Sequence, residues 1–200
     1  MSNNKGMIIV ISAPSGAGKT TLVELLNKDF PDLYRSISCT TRSTRKGESH
    51  GKDYIFVSEE EFKNKLENNE FAEWAEVHGN LYGTPKAALE ENLAKGKDVL
   101  LDIDVQGAEK IRKLYPGGLF IFIKPPSFKV LKERLESRNT EDRDSLEIRL
   151  KQAEEEMKYY TRYDYVVINE DLEEAVEELK SIIEKEKKRR LRSGTVNHKT

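Results

Sequence analysis

A glycine-rich segment lies between a continuous apolar run and a helical pattern, and few folds accept this order. The run Met7–Ile11 has no polar alternation, which is typical of a strand buried on both faces of a parallel sheet. The segment Ala13–Thr20 follows with the sequence Ala-Pro-Ser-Gly-Ala-Gly-Lys-Thr, and a helix is predicted at Lys19–Asp29. A buried strand, a glycine-rich turn and a helix in succession predict an α/β core.

The glycine-rich segment predicts a loop that binds phosphate. Glycines at positions 16 and 18 let the backbone turn its N–H groups inward, and the N terminus of the following helix adds a positive dipole. Lys19 supplies a charge for the β and γ phosphates of a nucleotide, and the Thr20 hydroxyl is a predicted Mg²⁺ ligand. The motif has glycine where this chain has Ala13, which matters only if the turn needs a positive φ there. Lys19 and Thr20 disfavour the alternative of a turn without a ligand. The predicted ATP-binding residues of the loop are Ala13, Pro14, Ser15, Gly16, Ala17, Gly18, Lys19, Thr20 and Thr21.

Apolar runs and helical stretches alternate along much of the remaining chain. The further runs are Val99–Ile103, Leu119–Ile123 and Tyr165–Ile168, and the stretches that follow them are Val105–Leu114, Phe128–Arg138 and Leu172 to about Arg190. Continuous apolar runs followed by helices predict parallel strands with helical crossovers. The predicted fold class is α/β, with a P-loop, doubly wound parallel sheet as its core.

The stretch between Thr40 and Leu93 departs from this alternation. Its predicted elements are a strand at 54–57, a helix near 59–68 and a strand at 71–77 that carries Trp74, which we expect in the core. They predict an inserted mixed α/β subdomain for a substrate. A polar segment after Arg138, followed by a long helix to about Tyr160, predicts a helical lid. We expect a single domain over 1–200, with a core at about 7–39, 94–127 and 160–192, the subdomain at about 40–93, the lid at about 134–150 and a tail at 193–200.

Two carboxylates follow the second apolar run. Asp102 and Asp104 lie where the carboxyl edge of the sheet is predicted, and an acidic residue there can hold a metal ion or its water shell. Asp102 is therefore a predicted Mg²⁺ contact, through water. The alternative, a pair of ordinary loop carboxylates, stays open on the sequence alone.

The composition argues against several classes of protein. With 34 basic and 36 acidic residues, the chain has no overall attraction to nucleic acid or to an anionic membrane. The basic stretch Lys187–Arg190 could contact nucleic acid or another subunit, but cations at the end of a helix also suit its dipole, which is the favoured interpretation. Cys39 is the one cysteine, and the run Met7–Ile11 is too short for a signal or membrane segment. We expect a cytoplasmic protein, monomeric or homo-oligomeric, with no nucleic-acid or membrane partner.

A set of motifs beyond the loop identifies a resemblance. The motifs are Ser38–Arg42 (Ser-Cys-Thr-Thr-Arg), Arg45, Gly47-Glu48, Gly51–Tyr54, Glu70–Trp74, Gly79–Thr84 and Leu101–Gly107. In this order and spacing they resemble the guanylate kinase family of P-loop nucleoside monophosphate kinases, from Ile8 to about Leu179. The resemblance implies transfer of the ATP γ-phosphoryl group to GMP or dGMP, with Mg²⁺, in purine nucleotide metabolism and GMP recycling. The alternatives are a kinase for another phosphorylated acceptor and an inactive binding scaffold of the same fold.

The resemblance also implies the acceptor site. Its GMP-binding residues would be Ser38, Arg42, Arg45, Tyr54, Glu73, Tyr82, Thr84, Asp102, Asp104 and Gly107. Arg42 and Arg45 suit a phosphate dianion, since guanidinium groups bind its oxygens bidentately. Glu73 can accept hydrogen bonds from N1–H and the N2 amino group of guanine, while the Ser38 and Thr84 hydroxyls address O6. On the residues alone, a solvated basic loop and an ordinary strand glutamate remain alternatives.

Arginines of the predicted lid complete the implied site. Arg134 and Arg138 are four residues apart and share a helix face, and Arg149 lies on the next helix. By resemblance they close over the ATP phosphates and, with Lys19 and Arg42, form the catalytic set. Solvated ion pairs on a helix face are the alternative. Asn139 stands where the family has glycine, and Asn169 is either an adenine contact or a turn residue.

Overall fold

The computed structural model describes residues 6–137 and 143–196, which form two compact units. The first unit contains 6–10 and 32–118, and the second contains 11–31, 119–137 and 143–196. The strands are β1 Ile8–Ser12, β2 Tyr34–Arg35, β3 Cys39–Thr40, β4 Ile55–Phe56, β5 Phe71–Val77, β6 Asn80–Pro85, β7 Val99–Asp102, β8 Leu119–Lys124 and β9 Tyr165–Ile168. The helices are α1 Lys19–Asp29, α2 Glu59–Glu67, α3 Lys86–Ala94, α4 Val105–Leu114, α5 Phe128–Glu136, α6 Arg143–Met157 and α7 Leu172–Val196, with a 3-10 helix at Lys158–Arg162.

The first unit contains strands of two different sheets. β2 pairs in parallel with β7, whose neighbour is the first part of β1. A separate four-stranded sheet has the order β4-β3-β6-β5. Its β5–β6 hairpin turns through His78 and Gly79, both at positive φ (51° and 72°), the conformation that matches the twist of paired strands. The register of this hairpin places Glu73 opposite Thr84.

Aromatic packing and a helix cap stabilise this second sheet. Phe62 of α2 is fully buried and stacks on Phe71 of β5, with 4.5 Å between the ring centroids. α2 begins with a capping box, in which Ser58 and Glu61 satisfy each other's backbone N–H groups. A Cβ atom at Gly83 would lie 2.8 Å from the Phe71 ring, so a larger residue there would require the ring or the strand to shift. These contacts fix the hairpin that carries Glu73 and Thr84.

The second unit is a parallel arrangement with helices. The end of β1, β8 and β9 follow in that order, and β8 pairs in parallel with β9 from Ile121 opposite Tyr165 onwards. Every residue of Leu119–Ile123 is buried, as the apolar run predicts. Leu131 and Leu135 of α5 pack with Ala153 of α6 in a small apolar cluster. This packing fixes the two helices that carry Arg134 and Arg149.

The predicted α/β class with a parallel sheet is confirmed by these pairings. The helices at Lys19–Asp29 and Val105–Leu114 have the predicted bounds. The expectation that Trp74 lies in the core is wrong, because the Trp74 side chain is 40% exposed and covered on one face by the Lys110 ammonium, 4.8 Å from the ring centroid. The predicted bounds of the subdomain and of the lid remain predictions.

Candidate active site

The glycine-rich loop lies between β1 and α1 in the second unit, as its sequence predicts. Gly16 and Gly18 both have positive φ, 88° and 87°, whereas Ala13 does not, so alanine at the first position of the motif costs the turn nothing. Gly18 is also the N-cap of α1 and has no side chain to cap it. The first N–H groups of α1 therefore face the loop, where an anion can accept their hydrogen bonds.

Asn169, directly after β9, forms a hydrogen bond to the backbone of the loop. It is 4% exposed, and its Nδ2 donates to the Ala17 carbonyl at 2.7 Å. A Cβ atom at Gly18 would lie only 2.4 Å from the same Nδ2. Two features therefore favour glycine at position 18: its positive φ and the close approach of Asn169. The contact gives Asn169 a structural role in the loop, and its contact with adenine remains a prediction.

Replacing Gly18 with alanine is expected to lower the melting temperature and to raise KM for ATP at least tenfold, because the methyl group must displace Asn169 or the loop. Gly79→Ala is the matched control, since Gly79 has a similar φ of 72° and nothing within 4 Å of its added Cβ. The control should cost about 1 kcal/mol of unfolding free energy and leave KM unchanged. Equal effects of the two changes in thermal melts and ATP kinetics would contradict the role of the contact.

Two arginines contact the loop from the helices of the second unit. Arg134 donates from Nη2 to the Asn169 carbonyl at 3.0 Å and from Nη1 to the Ala17 carbonyl at 3.4 Å. Arg149 donates from Nη2 to Ser15 Oγ at 2.8 Å. The structure thus brings Arg134 and Arg149 to the loop, while their contacts with ATP phosphates remain a prediction. Arg138 and Asn139 lie outside the described residues.

Glu156 of α6 also contacts the loop and was not predicted. Its Oε2 accepts a hydrogen bond from the Ser15 backbone N–H at 3.1 Å. α6 therefore holds Ser15 at two atoms, through Glu156 at the backbone and through Arg149 at the hydroxyl. A lone glutamate in a charged helix gives no signal in the sequence, because the contact joins residues 141 apart.

The first unit brings a second group of predicted residues together around Glu73. Thr84 Oγ1 donates to Glu73 Oε1 at 2.6 Å across the hairpin. Asp104 caps α4 by accepting from the Gly107 N–H at 2.8 Å. A Cβ atom at Gly107 would lie 2.5 Å from Glu73 Oε2 and 3.2 Å from Asp104 Oδ1. Gly107 therefore leaves the space that the Glu73 carboxylate occupies.

The Thr84 contact changes one expectation. Thr84 is fully buried, and its hydroxyl proton is used in the bond to Glu73. A hydroxyl has a single proton to donate, so Thr84 cannot donate to a base at the same time. In this arrangement Thr84 orients Glu73, and a direct bond from Thr84 to guanine O6 would require the present bond to break.

The surroundings of Glu73 change its acidity. Burial, opposed in part by the hydrogen bond from Thr84, raises the pKa of Glu73 to about 7. The negative charge of Asp104 raises this pKa further, and the positive charge of Lys110 lowers it. Near neutral pH the Glu73 carboxyl can therefore be charged or neutral, and a ligand that donates hydrogen bonds to it stabilises the charged form.

Glu73→Gln is expected to stabilise the free protein at pH 8 but not near pH 4. An unfolded glutamate ionises near pH 4.5, whereas folded Glu73 keeps its proton up to about pH 7, so the cost of ionising a buried carboxyl is complete above pH 7 and absent at low pH. The gain at pH 8 should be at most about 3 kcal/mol. Chemical denaturation at both pH values measures it, with Glu76→Gln, exposed on the same strand, as control. A gain of equal size at both pH values would contradict the explanation.

A third group of predicted residues lies near the start of the same sheet. The Arg42 guanidinium lies over the Tyr54 ring, 5.4 Å from its centroid, and Tyr54 meets Tyr82 edge to face at 5.9 Å. Arg42 Nη2 donates to Glu48 Oε1 at 2.7 Å. A guanidinium and two phenols in contact suit the oxygens of a phosphate group. Ser38 is half-buried, and its carbonyl accepts a hydrogen bond from the Ile55 N–H. Arg45 is exposed.

Comparison with known proteins decides the family. The guanylate kinase family model matches residues 5–186. A guanylate kinase of Geobacter sulfurreducens is 50% identical, with 90% of this chain and 88% of that protein covered. One of Caldanaerobacter subterraneus subsp. tengcongensis is also 50% identical, over 92% of this chain and 89% of that protein. The chain belongs to the guanylate kinase family.

Solved structures agree with this guanylate kinase assignment. The crystal structure of guanylate kinase from Anaplasma phagocytophilum has a TM-score of 0.78 and 40% sequence identity, and the match covers 93% of this chain and 88% of that one. A shikimate kinase from Bacteroides thetaiotaomicron, 19% identical with a TM-score of 0.50, shows a likeness of fold alone. The predicted P-loop kinase fold is thus confirmed.

Guanylate kinases use a nucleotide as phosphoryl donor, and the residues predicted for its metal ion lie in separate units. Thr20 is exposed in the first turn of α1, where its hydroxyl is a hard oxygen ligand of the kind that Mg²⁺ prefers. The Asp102 carboxylate lies 3.5 Å from the Arg35 guanidinium. In the part of the chain that the structure describes, no cluster of three His, Cys, Asp or Glu side chains could hold a metal. Thr20 fits an ion held mainly by nucleotide phosphates.

Proposed function

We propose that this chain transfers the γ-phosphoryl group of ATP to GMP, giving ADP and GDP. The observation that carries the proposal is the buried Glu73 carboxylate, oriented by Thr84 and given room by Gly107. Family membership supports the reaction class, and the contacts of the first unit support guanine as the base. GMP recycling within purine nucleotide metabolism is the role we propose for this activity.

Guanine matches Glu73 through its hydrogen-bond donors. Its N1–H and N2 amino group lie side by side, so one carboxylate can accept both bonds. Adenine presents no such pair and would leave a buried charge unsatisfied, which a site of this kind rejects strongly. We propose that Asp104 stabilises this arrangement, since it caps the helix that carries Gly107.

The acceptor phosphate would bind to Arg42, Tyr54 and Tyr82. A monophosphate carries close to two negative charges near pH 7, since its second pKa is about 6. Its oxygen can therefore attack the donor without a general base. This fits a site built from a guanidinium and phenols, in which positioning and charge provide the catalysis.

The donor phosphates would bind to the loop of the second unit. The backbone N–H groups and Lys19 would hold the β and γ phosphates, while Arg134 and Arg149 neutralise charge that develops on the transferred group. Thr20 would hold Mg²⁺, with Asp102 acting through water, and this ion supplies charge neutralisation at the donor phosphates when bound. Arg138 belongs to the same proposal on its sequence position.

The test is an assay of ADP release with ATP and Mg²⁺ against a panel of acceptors: GMP, dGMP, AMP, CMP and UMP. We expect turnover with GMP and dGMP. Turnover with AMP should be at least about 10³-fold lower, because a site built to hydrogen-bond a substrate group rejects an analogue that lacks it. Turnover with another acceptor would replace guanine as the substrate base. If no acceptor supports turnover although the protein binds ATP, the proposal of an enzyme would give way to that of a binding scaffold.

The cell compartment is a lesser part of the proposal. Across 6–137 and 143–196, no helix has the length and apolar character needed to cross a membrane. Cys39 is buried with its thiol free, which is compatible with a reducing compartment. We propose a cytoplasmic location on the thiol and on the ATP requirement, and fractionation of cells that express the chain would test it.

A further inference from the structure

We infer that Glu48 is a positioning residue for the acceptor phosphate: it holds Arg42 and the backbone of Arg45 in the arrangement that receives the anion. The inference rests on the proposed function, because it concerns the same phosphate subsite. Glu48 would not contact the phosphate itself, and its effect would pass through Arg42.

Both carboxylate oxygens of Glu48 are used, each by a different partner. Oε1 accepts from Arg42 Nη2 at 2.7 Å, and Oε2 accepts from the Arg45 backbone N–H at 2.8 Å. The Glu48 N–H returns a bond to the Arg45 carbonyl at 3.1 Å, which closes the turn. One side chain thus fixes a guanidinium and the loop that carries the second predicted arginine.

The contacts leave Arg42 little freedom. Its Nη1 donates to the Ser43 carbonyl at 2.7 Å, and the guanidinium lies over the rings of Tyr54 and Phe56, 5.4 and 5.8 Å from their centroids. The Arg42 side chain is 11% exposed. A guanidinium has five N–H donors, so the two bonds to Ser43 and Glu48 leave others for an anion. An arginine that is ordered before the ligand arrives loses less side-chain entropy on binding.

A carboxylate is the group that this geometry requires. Two donors, one charged, point at two oxygens, and glutamine would offer one oxygen and one NH₂ group. In Glu48→Gln, either Arg42 or the Arg45 N–H would therefore face another donor. Burial alone would raise the pKa of Glu48, but the hydrogen bonds from Arg42 and from the Arg45 backbone lower it below its usual range, so both oxygens stay available near neutral pH.

The test compares E48Q with the unchanged protein in steady-state kinetics with GMP and ATP. We expect KM for GMP to rise about 10- to 100-fold, with kcat changed less than about threefold and KM for ATP unchanged. E91Q is the matched control, because Glu91 forms an exposed pair with Lys95 in the same unit. A thermal melt of E48Q should show a folded protein, since the partner loop is at the surface.

A double-mutant cycle with R42A shows whether Glu48 acts through Arg42. If it does, E48Q should raise KM for GMP much less in the R42A background than in the unchanged protein. Equal rises in both backgrounds, or parallel changes in KM for both substrates, would overturn the inference. If R42A raises KM for GMP and E48Q does not, Glu48 has no positioning role and the proposed function stands. If neither changes KM for GMP, the acceptor site itself is wrongly assigned.

Discussion

Glu73→Ala is expected to lower kcat/KM for GMP by about 10²- to 10⁴-fold, the largest effect of any single change in the acceptor site. The variant would lose the two proposed hydrogen bonds from guanine to a carboxylate, each worth about 1.5–3 kcal/mol in a buried setting. The Thr84 hydroxyl also loses the partner that now lies at 2.6 Å. KM for ATP should change little, because the described contacts of Glu73 are with Thr84 and Gly107 and not with the glycine-rich loop.

Inosine monophosphate provides the decisive comparison, because its base keeps N1–H and lacks the amino group at position 2. The unchanged protein should prefer GMP to this analogue, and Glu73→Ala should lose the preference. Glu76→Ala, exposed on the same strand, should keep both the activity and the preference. A variant that still favours GMP would show that another group reads the amino group, and Glu73 would lose its proposed role.

Lys19→Ala is expected to lower kcat by about 10²- to 10³-fold, the range found when one preorganised hydrogen-bond donor is removed from a site that stabilises developing negative charge. Lys19 is the first residue of α1 and directly follows Gly18, which has a φ of 87°. The lysine charge would oppose charge on the transferring group, so the loss should fall on kcat more than on KM for GMP.

Lys28→Ala is the matched control, since Lys28 is exposed in the last turn of the same helix. It should leave the rate unchanged. Both variants should melt near the temperature of the unchanged protein, because neither lysine is part of the apolar core. A Lys19→Ala protein that is folded and keeps its full rate would remove the loop from the proposed reaction.

The sequence predicts the elements whose stability is local or strongly apolar. β9 and α4 have the predicted bounds because one is a continuous apolar run and the other begins with the capping residue Asp104. β6 and α3 were missed. Gly83 and Pro85 disfavour a strand on local grounds, and β6 exists through pairing with β5 and β3, which no local pattern predicts.

The site residues also divide into those that local sequence predicts and those that depend on tertiary contacts. Residue types at the loop and at Glu73 follow from motifs, so they could be predicted without coordinates. The bond between Thr84 and Glu73 depends on the hairpin register, and the contact of Asn169 with Ala17 joins residues 152 apart. Trp74 was misplaced because strand alternation indicates only which residues share a face, and here the Trp74 face is covered by Lys110 rather than by the core.

The order of residues along the two units has a consequence for synthesis of the chain. The first unit is complete once residue 118 has been made, whereas the second combines 11–31 with segments that follow residue 118. Ala17 and its partner Asn169 are 152 residues apart, so a ribosome that adds about 5–20 residues per second separates them by about 8–30 s. The nucleotide loop is thus among the first segments translated and among the last to gain its supporting contacts. A nascent chain that stalls near residue 118 would carry all the proposed GMP-binding side chains and none of the arginines proposed for ATP.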